Sequence, residues 1–87
     1  MIYKVEKKYQ IAGEFTDPKT NKVIPYDNTY FCLAPYDEQG NLAGKPILPK
    51  IKTSSLRDPI DVGDYVEVYN NQYGQPSLVV LVQKGDN

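Results

Sequence analysis

Apolar and polar side chains alternate from the start of the chain. Tyr3, Val5, Tyr9 and Ile11 share one parity, while Lys4, Glu6, Lys8 and Gln10 share the other, and Lys7 alone breaks the pattern. A period of two marks a half-buried strand, and it predicts that Tyr3 and Tyr9 pack into the core beside Val5 and Ile11. Gly13, just before Phe15, predicts a bulge or bend. Asp17-Pro18-Lys19-Thr20-Asn21-Lys22 has turn chemistry and reads as a hairpin tip that carries two lysines. Val23–Tyr26 resumes an extended chain, where Pro25 lacks an amide donor and demands an edge or a bulge. Thr29–Ala34 is apolar on both faces and is assigned to the central strand.

The second half gives shorter signals. Residues 35–46 form a polar connection, and Ile47–Lys52 reads as a short strand that Pro49 weakens. Thr53–Ile60 has room for one or two helical turns before Pro59. Val62-Gly63 predicts a tight turn into Asp64–Tyr69, with Val66 and Val68 on one face and Tyr65, Glu67 and Tyr69 on the other. Asn70–Pro76 has hairpin-loop composition. Ser77–Val82 reads as a buried closing strand, and residues 84–87 as a polar tail. Five short strands without a helix of useful length predict an all-β chain: a small, partly open five-stranded antiparallel barrel of the oligonucleotide/oligosaccharide-binding (OB) type. An SH3-like barrel is the topological rival.

Its 87 residues fit one domain, spanning 1–87. The longest apolar run, Leu78–Val82, is far too short for a membrane helix, and the first residues contain no signal-peptide core. A cytoplasmic chain with no membrane partner is expected. One cysteine precludes an intramolecular disulfide, and Cys32 reads as a small buried hydrophobe. With no histidine, no metal site is expected, and Ser-His and Cys-His nucleophile pairs are absent. Neither an enzyme nor a cofactor is indicated.

The net charge of −1 lacks the basic excess usual in nucleic-acid binders. It is unevenly spread, however: residues 1–52 hold eight lysines against six acids, and residues 53–87 hold two basic residues against five acids. Eight tyrosines with no tryptophan is generous for a small core. Tyrosines and lysines interleave on the strands and loops: Lys19, Lys22 and Tyr26, then Tyr30 and Tyr36, then Lys45, Lys50 and Lys52. Single-stranded nucleic acid needs that combination, cations for phosphates and rings on which unstacked bases lie. Aromatic enrichment also suits a protein interface, so a small β-barrel adaptor is the alternative.

Several short motifs favour the first reading. Met1-Ile2-Tyr3-Lys4-Val5-Glu6, Ile24-Pro25-Tyr26, Cys32 in its strand, Gly44-Lys45-Pro46 through Ile51, Val62-Gly63-Asp64-Tyr65-Val66, and Gln72-Tyr73-Gly74 with Ser77-Leu78-Val79 occur in order along the chain. In these motifs it resembles the gene V family, the helix-destabilising single-stranded DNA-binding proteins of filamentous bacteriophage. The resemblance implies an OB-type homodimer, joined through its last hairpin, that coats single-stranded DNA cooperatively during replication in a bacterial host. It implies that Tyr26 stacks on bases at a lysine-bearing wing containing Lys19 and Lys22, and that Lys45 or Lys50 holds phosphate. Tyr73 would reach from the dimer loop toward DNA on a neighbouring molecule, and Tyr30 and Tyr36 are further stacking candidates. RNA binding by the same barrel is a third reading. The chain departs from the family in having a single arginine, Arg57, in offering only Lys84 as a base late in the last strand, and in carrying acids at Asp58, Asp61 and Asp64.

Overall fold

In the computed structural model, residues 1–85 are described. They form one antiparallel sheet of five strands: β1 (Ile2–Thr16), β2 (Val23–Tyr36), β3 (Lys50–Lys52), β4 (Tyr65–Asn70) and β5 (Pro76–Gln83). The spatial order is β3-β2-β1-β4-β5, which makes β1 the middle strand, the place the sequence pattern gave to Thr29–Ala34. One short 3₁₀ turn, Thr53–Ser55, follows β3. The sheet curls so that β3 and β5 come near each other, yet no ladder joins them. The all-β, five-stranded antiparallel architecture is as expected, and the barrel, expected to be partly open, is closed only loosely.

Curling gathers the inward side chains into one core. Val5, Phe31, Leu33, Ile51, Ile60, Val66 and Val79 are buried, with Tyr3, Ile47, Leu56, Val68 and Leu81 packed against them. Val66 and Val68 face inward as their alternation predicts. β5 is less buried than its composition suggests: only Val79 is fully covered, because β5 is an edge strand with an outward row. The third strand is also shorter than predicted. Ile47 makes one isolated bridge to Leu33, and the regular ladder begins only at Lys50, just past Pro49.

β1 and β2 form a long hairpin, and one irregularity sets its chemistry. Val5 pairs with Leu33 but Lys7 pairs with Cys32, so Glu6 is an extra residue in β1. A bulge of this kind shifts every later side chain to the opposite face. Tyr3 and Val5 therefore point inward, whereas Lys7, Tyr9 and Ile11 point outward. The core role predicted for Tyr9 and Ile11 is corrected accordingly: they are 57% and 45% exposed. The bulge predicted at Gly13 is absent, since Gly13 pairs in register with Tyr26. Lys7, the exception to the sequence pattern, marks the true site. Lys8 turns inward instead, and its ammonium caps the end of the core by donating to the Ile60 carbonyl at 2.7 Å.

Beyond the bulge, β1 has no strand on its far side, and β3 supports β2 only at Asn28–Tyr30. The rest of the hairpin is a two-stranded ribbon. It stretches the molecule to 53 × 30 × 20 Å and gives a radius of gyration of 15.0 Å, against roughly 12 Å for a compact chain of this length. At its tip, Asp17 accepts the Asn21 amide at 2.8 Å and the Lys19 amide at 2.9 Å, while Asn21 adopts a left-handed φ of 56°. Pro25 sits where the ribbon edge is unpaired. Odd-numbered β2 residues direct their amides away from β1, as Phe31 does toward Pro49, so proline costs no ladder bond there.

Candidate nucleic-acid interface

Residues directly opposite one another in an antiparallel ladder share a face. The outer face of β1, β2 and β3 can thus be read row by row. Lys7 lies opposite Cys32, Tyr9 opposite Tyr30, Ile11 opposite Asn28, Gly13 opposite Tyr26, and Phe15 opposite Ile24. On the other side of β2, Tyr30 is opposite Lys50 and Asn28 is opposite Lys52. The face contains three lysines, three tyrosines and several apolar residues, but no acid.

Two local arrangements organise the rings. Tyr9 and Tyr30 stack with centroids 4.9 Å apart and planes within 5° of parallel, a favourable offset geometry for a cross-strand aromatic pair. Lys50 completes the row, so that two rings and an ammonium run side by side across three strands. Four residues along β2, about 13 Å by strand rise, Tyr26 lies over Gly13. A Cβ on Gly13 would come within 2.7 Å of the Tyr26 Oη. The missing side chain of Gly13 thus lets the Tyr26 ring lie close against β1, while the backbone there is ordinary.

Lys7, Lys50 and Lys52 are exposed and form no ion pair among the described residues. An open groove of about 890 Å³ borders the face on the β3 side. It is lined by Ile24, Pro25 and Tyr26, by Lys50 and Lys52, and by polar groups from Asp27 to Ser54. That size lies within the range of small-ligand sites.

The sequence-derived candidates divide into groups. Tyr26, Tyr30 and Lys50 come together on this face. Lys19 and Lys22 are exposed at the ribbon tip, as expected of a wing. Tyr36 lies at the far end of β2, half-buried beside Ile2, Tyr65 and Val82. Lys45 is exposed in the 37–49 connection, outside the three-strand ladder. Tyr73 is 77% exposed at the tip of the β4–β5 hairpin. A separate cleft lined by Tyr3, Leu48, Lys50, Val68 and Gln75 lies between that hairpin and β3. Tyr36, Lys45 and Tyr73 therefore do not join the Tyr9–Tyr30 face.

Sequence reasoning missed Tyr9, Lys7 and Ile11 as surface residues, because unbroken alternation put Tyr9 and Ile11 inside. Cys32, expected in the core, is half-buried on the outer face opposite Lys7. Lys84, the late base in the chain, donates to Asp64 at 2.8 Å and Asp61 at 3.2 Å, and these partners raise its pKa. Its charge is committed to acids of its own chain. No group of metal-binding side chains occurs among the described residues, and no described helix is long and apolar enough to cross a membrane.

Comparison with known protein families, curated proteins and solved structures finds no match to this chain.

Proposed function

We propose that this chain binds single-stranded DNA with little sequence selection, laying bases on the outer face of β1–β3 and phosphates against its lysines. The observation that carries the reading is the Tyr9–Tyr30 stack flanked by Lys50, on a face that contains no acid. A stacked pair already fixed by packing has little side-chain freedom left to lose when a base is added. Tyr26, held over Gly13 at the base of the ribbon, supplies a second ring, and Lys19 and Lys22 extend the positive charge to the tip. The resemblance to the gene V proteins of filamentous phage supports the same assignment. It adds cooperative coating of the strand by a homodimer joined at the β4–β5 hairpin. The outward row of that hairpin, with Tyr69 beside Leu78 and Glu67 beside Val80, offers a mixed surface for the two-fold contact, apolar at Leu78 and Val80 and polar where the Tyr69 hydroxyl donates to Glu67.

Titration with oligo(dT), followed by tyrosine fluorescence, tests the proposal. Stacking should quench the emission saturably, and a protein adaptor should give no saturable change. Sedimentation at micromolar concentration tests the dimer separately, and a monomer throughout the range would remove that part of the proposal.

A further inference from the structure

Among the residues lining the groove beside β3, Asp27 is the single acid; Tyr26, Lys50 and Lys52 line the groove from the outer face, and Asp27, of opposite parity, lines it from the other side of β2. A carboxylate in a strand-binding groove repels phosphate, so its presence there needs a reason. It is also held in place. Gln10 Nε2 donates to Oδ1 at 2.8 Å and to Oδ2 at 3.0 Å, and the Thr53 hydroxyl donates to Oδ1 at 2.7 Å. With its proton on Asp27, the Thr53 oxygen accepts from the buried Thr29 hydroxyl at 2.8 Å. Hydrogen bonds thus fix Asp27 from β1, β2 and the turn after β3. All of the donors are neutral, and no cation pairs with Asp27 among the described residues.

The charge of this carboxylate is therefore uncompensated and its orientation set. Oδ1 accepts two hydrogen bonds but Oδ2 only one, which leaves Oδ2 with spare acceptor capacity in a residue that lines the groove. In a strand whose phosphates are drawn to Lys50 and Lys52, the groups that can meet Oδ2 favourably are N–H donors on a base edge.

We propose that Asp27 is a base-reading residue that favours guanine in the groove, a refinement that rests on the strand-binding function above. Guanine presents two adjacent donors, N1–H and the N2 amino group. Thymine presents one, N3–H, between two carbonyl oxygens that a carboxylate repels. Binding remains tolerant of sequence elsewhere on the face, where rings accept any base.

The test compares a short thymidine oligonucleotide with the same oligonucleotide carrying one central deoxyguanosine. Wild-type protein should bind the guanine-containing strand about fivefold more tightly, the lower end of what a specific base contact contributes. Deoxyinosine at that position, which deletes the N2 amino donor, should lose most of the gain without any change to the protein. Asp27→Asn puts an amide NH₂ or a neutral oxygen where the anion stood. It should equalise the two strands by abolishing the guanine gain, while the all-thymidine strand, relieved of a repelling anion, binds at least as tightly as to wild type, with a thermal melt confirming that the variant is folded. Equal wild-type affinity for both strands, or a guanine preference that survives in Asp27→Asn, would overturn the role of Asp27 and leave the strand-binding proposal standing. Failure of the wild type to bind either oligonucleotide would overturn both.

Discussion

Replacing Asp64 with Asn should remove a stabilising contribution that depends on pH in a defined way. Asp64 is 1% exposed, at the turn where β4 departs from β1. Its carboxylate accepts the Gly85 amide at 2.8 Å, the Lys84 ammonium at 2.8 Å and the Asp61 amide at 2.8 Å. Its own carbonyl accepts the Val5 amide at 2.9 Å. One residue thus ties the exit of β5 and the 61–64 turn to the middle strand. The Gly85 amide, then Lys84, then the Asp61 amide favour the anion and lower its pKa from 3.8 to about 2 against the opposing cost of burial. A carboxyl whose folded pKa is depressed stabilises the fold fully above its unfolded value. The contribution is lost as pH falls from about 5 through about 2. At roughly 1.4 kcal/mol per pH unit the ceiling is about 2.5 kcal/mol. The Lys84 side chain is 52% exposed, so water screens part of that attraction and a contribution of about 1–2 kcal/mol is expected. The assay is urea unfolding of wild type and Asp64→Asn at pH 7 and at about pH 2.5. Contributions from every other acid are common to both proteins and cancel in the difference. The asparagine also carries a cost that does not vary with pH, since its NH₂ meets neighbouring donors. The gap between the proteins should therefore shrink by about 1 kcal/mol at the lower pH without vanishing. A gap of equal size at both pH values would refute the electrostatic account and leave only lost shape complementarity.

Four further outcomes follow from the same geometry. If Lys7, Lys50 and Lys52 meet phosphates, log affinity for oligo(dT) should fall with log salt at a slope of about −2, and steeper if Lys19 and Lys22 also engage; a flat response would exclude the lysine face. Tyr9→Ala should weaken strand binding by about 1–3 kcal/mol in the folded variant, whereas a ring that only packs would change the melting temperature alone. Gly13→Ala should push aside the far end of the Tyr26 side chain, so a titration should show weaker binding while the melting temperature stays nearly constant. Gly85→Ala should behave in the opposite way. Its methyl would overlap the Gly63 carbonyl, and because backbone on both sides must move, unfolding should show a loss of at least about 1 kcal/mol with strand binding intact in the folded fraction.

Much of the fold was legible because the chain states it locally. Turn chemistry at Asp17–Lys22 and Asn71–Gln75 fixes both hairpins, alternation orients β4, and Pro25 marks the unpaired ribbon edge. What could not be read was tertiary. The open seam between β3 and β5 depends on how far the sheet curls, and the short third strand depends on where Pro49 and the 37–49 loop leave β2. The site was half legible. Tyr26, Tyr30 and Lys50 carried the right residue types, but one extra residue at Glu6 decides which side of the sheet Tyr9 occupies.

The bulge also bears on the apparent conflict between the proposed function and the net charge. A net charge of −1 counts against strand binding only if charge is spread evenly over the surface. Beyond Glu6, the parity shift sends Lys7 outward with Tyr9, Ile11 and Phe15, and sends Gln10 and Glu14 to the opposite side with Asp27. The later acids Asp61 and Asp64 are engaged with Lys84 at the far end of the sheet. Phosphates approaching the β1–β3 face would meet Lys7, Lys50 and Lys52 before they meet an acid. Deleting Glu6 would remove the bulge yet leave Val5 opposite Leu33 and Lys7 opposite Cys32, so Lys7, Tyr9 and Ile11 would keep the outer side and Lys8 and Gln10 the inner one. The aromatic face would be kept, and strand binding by the folded deletion variant should persist; its loss would show that the bulge contributes more than parity.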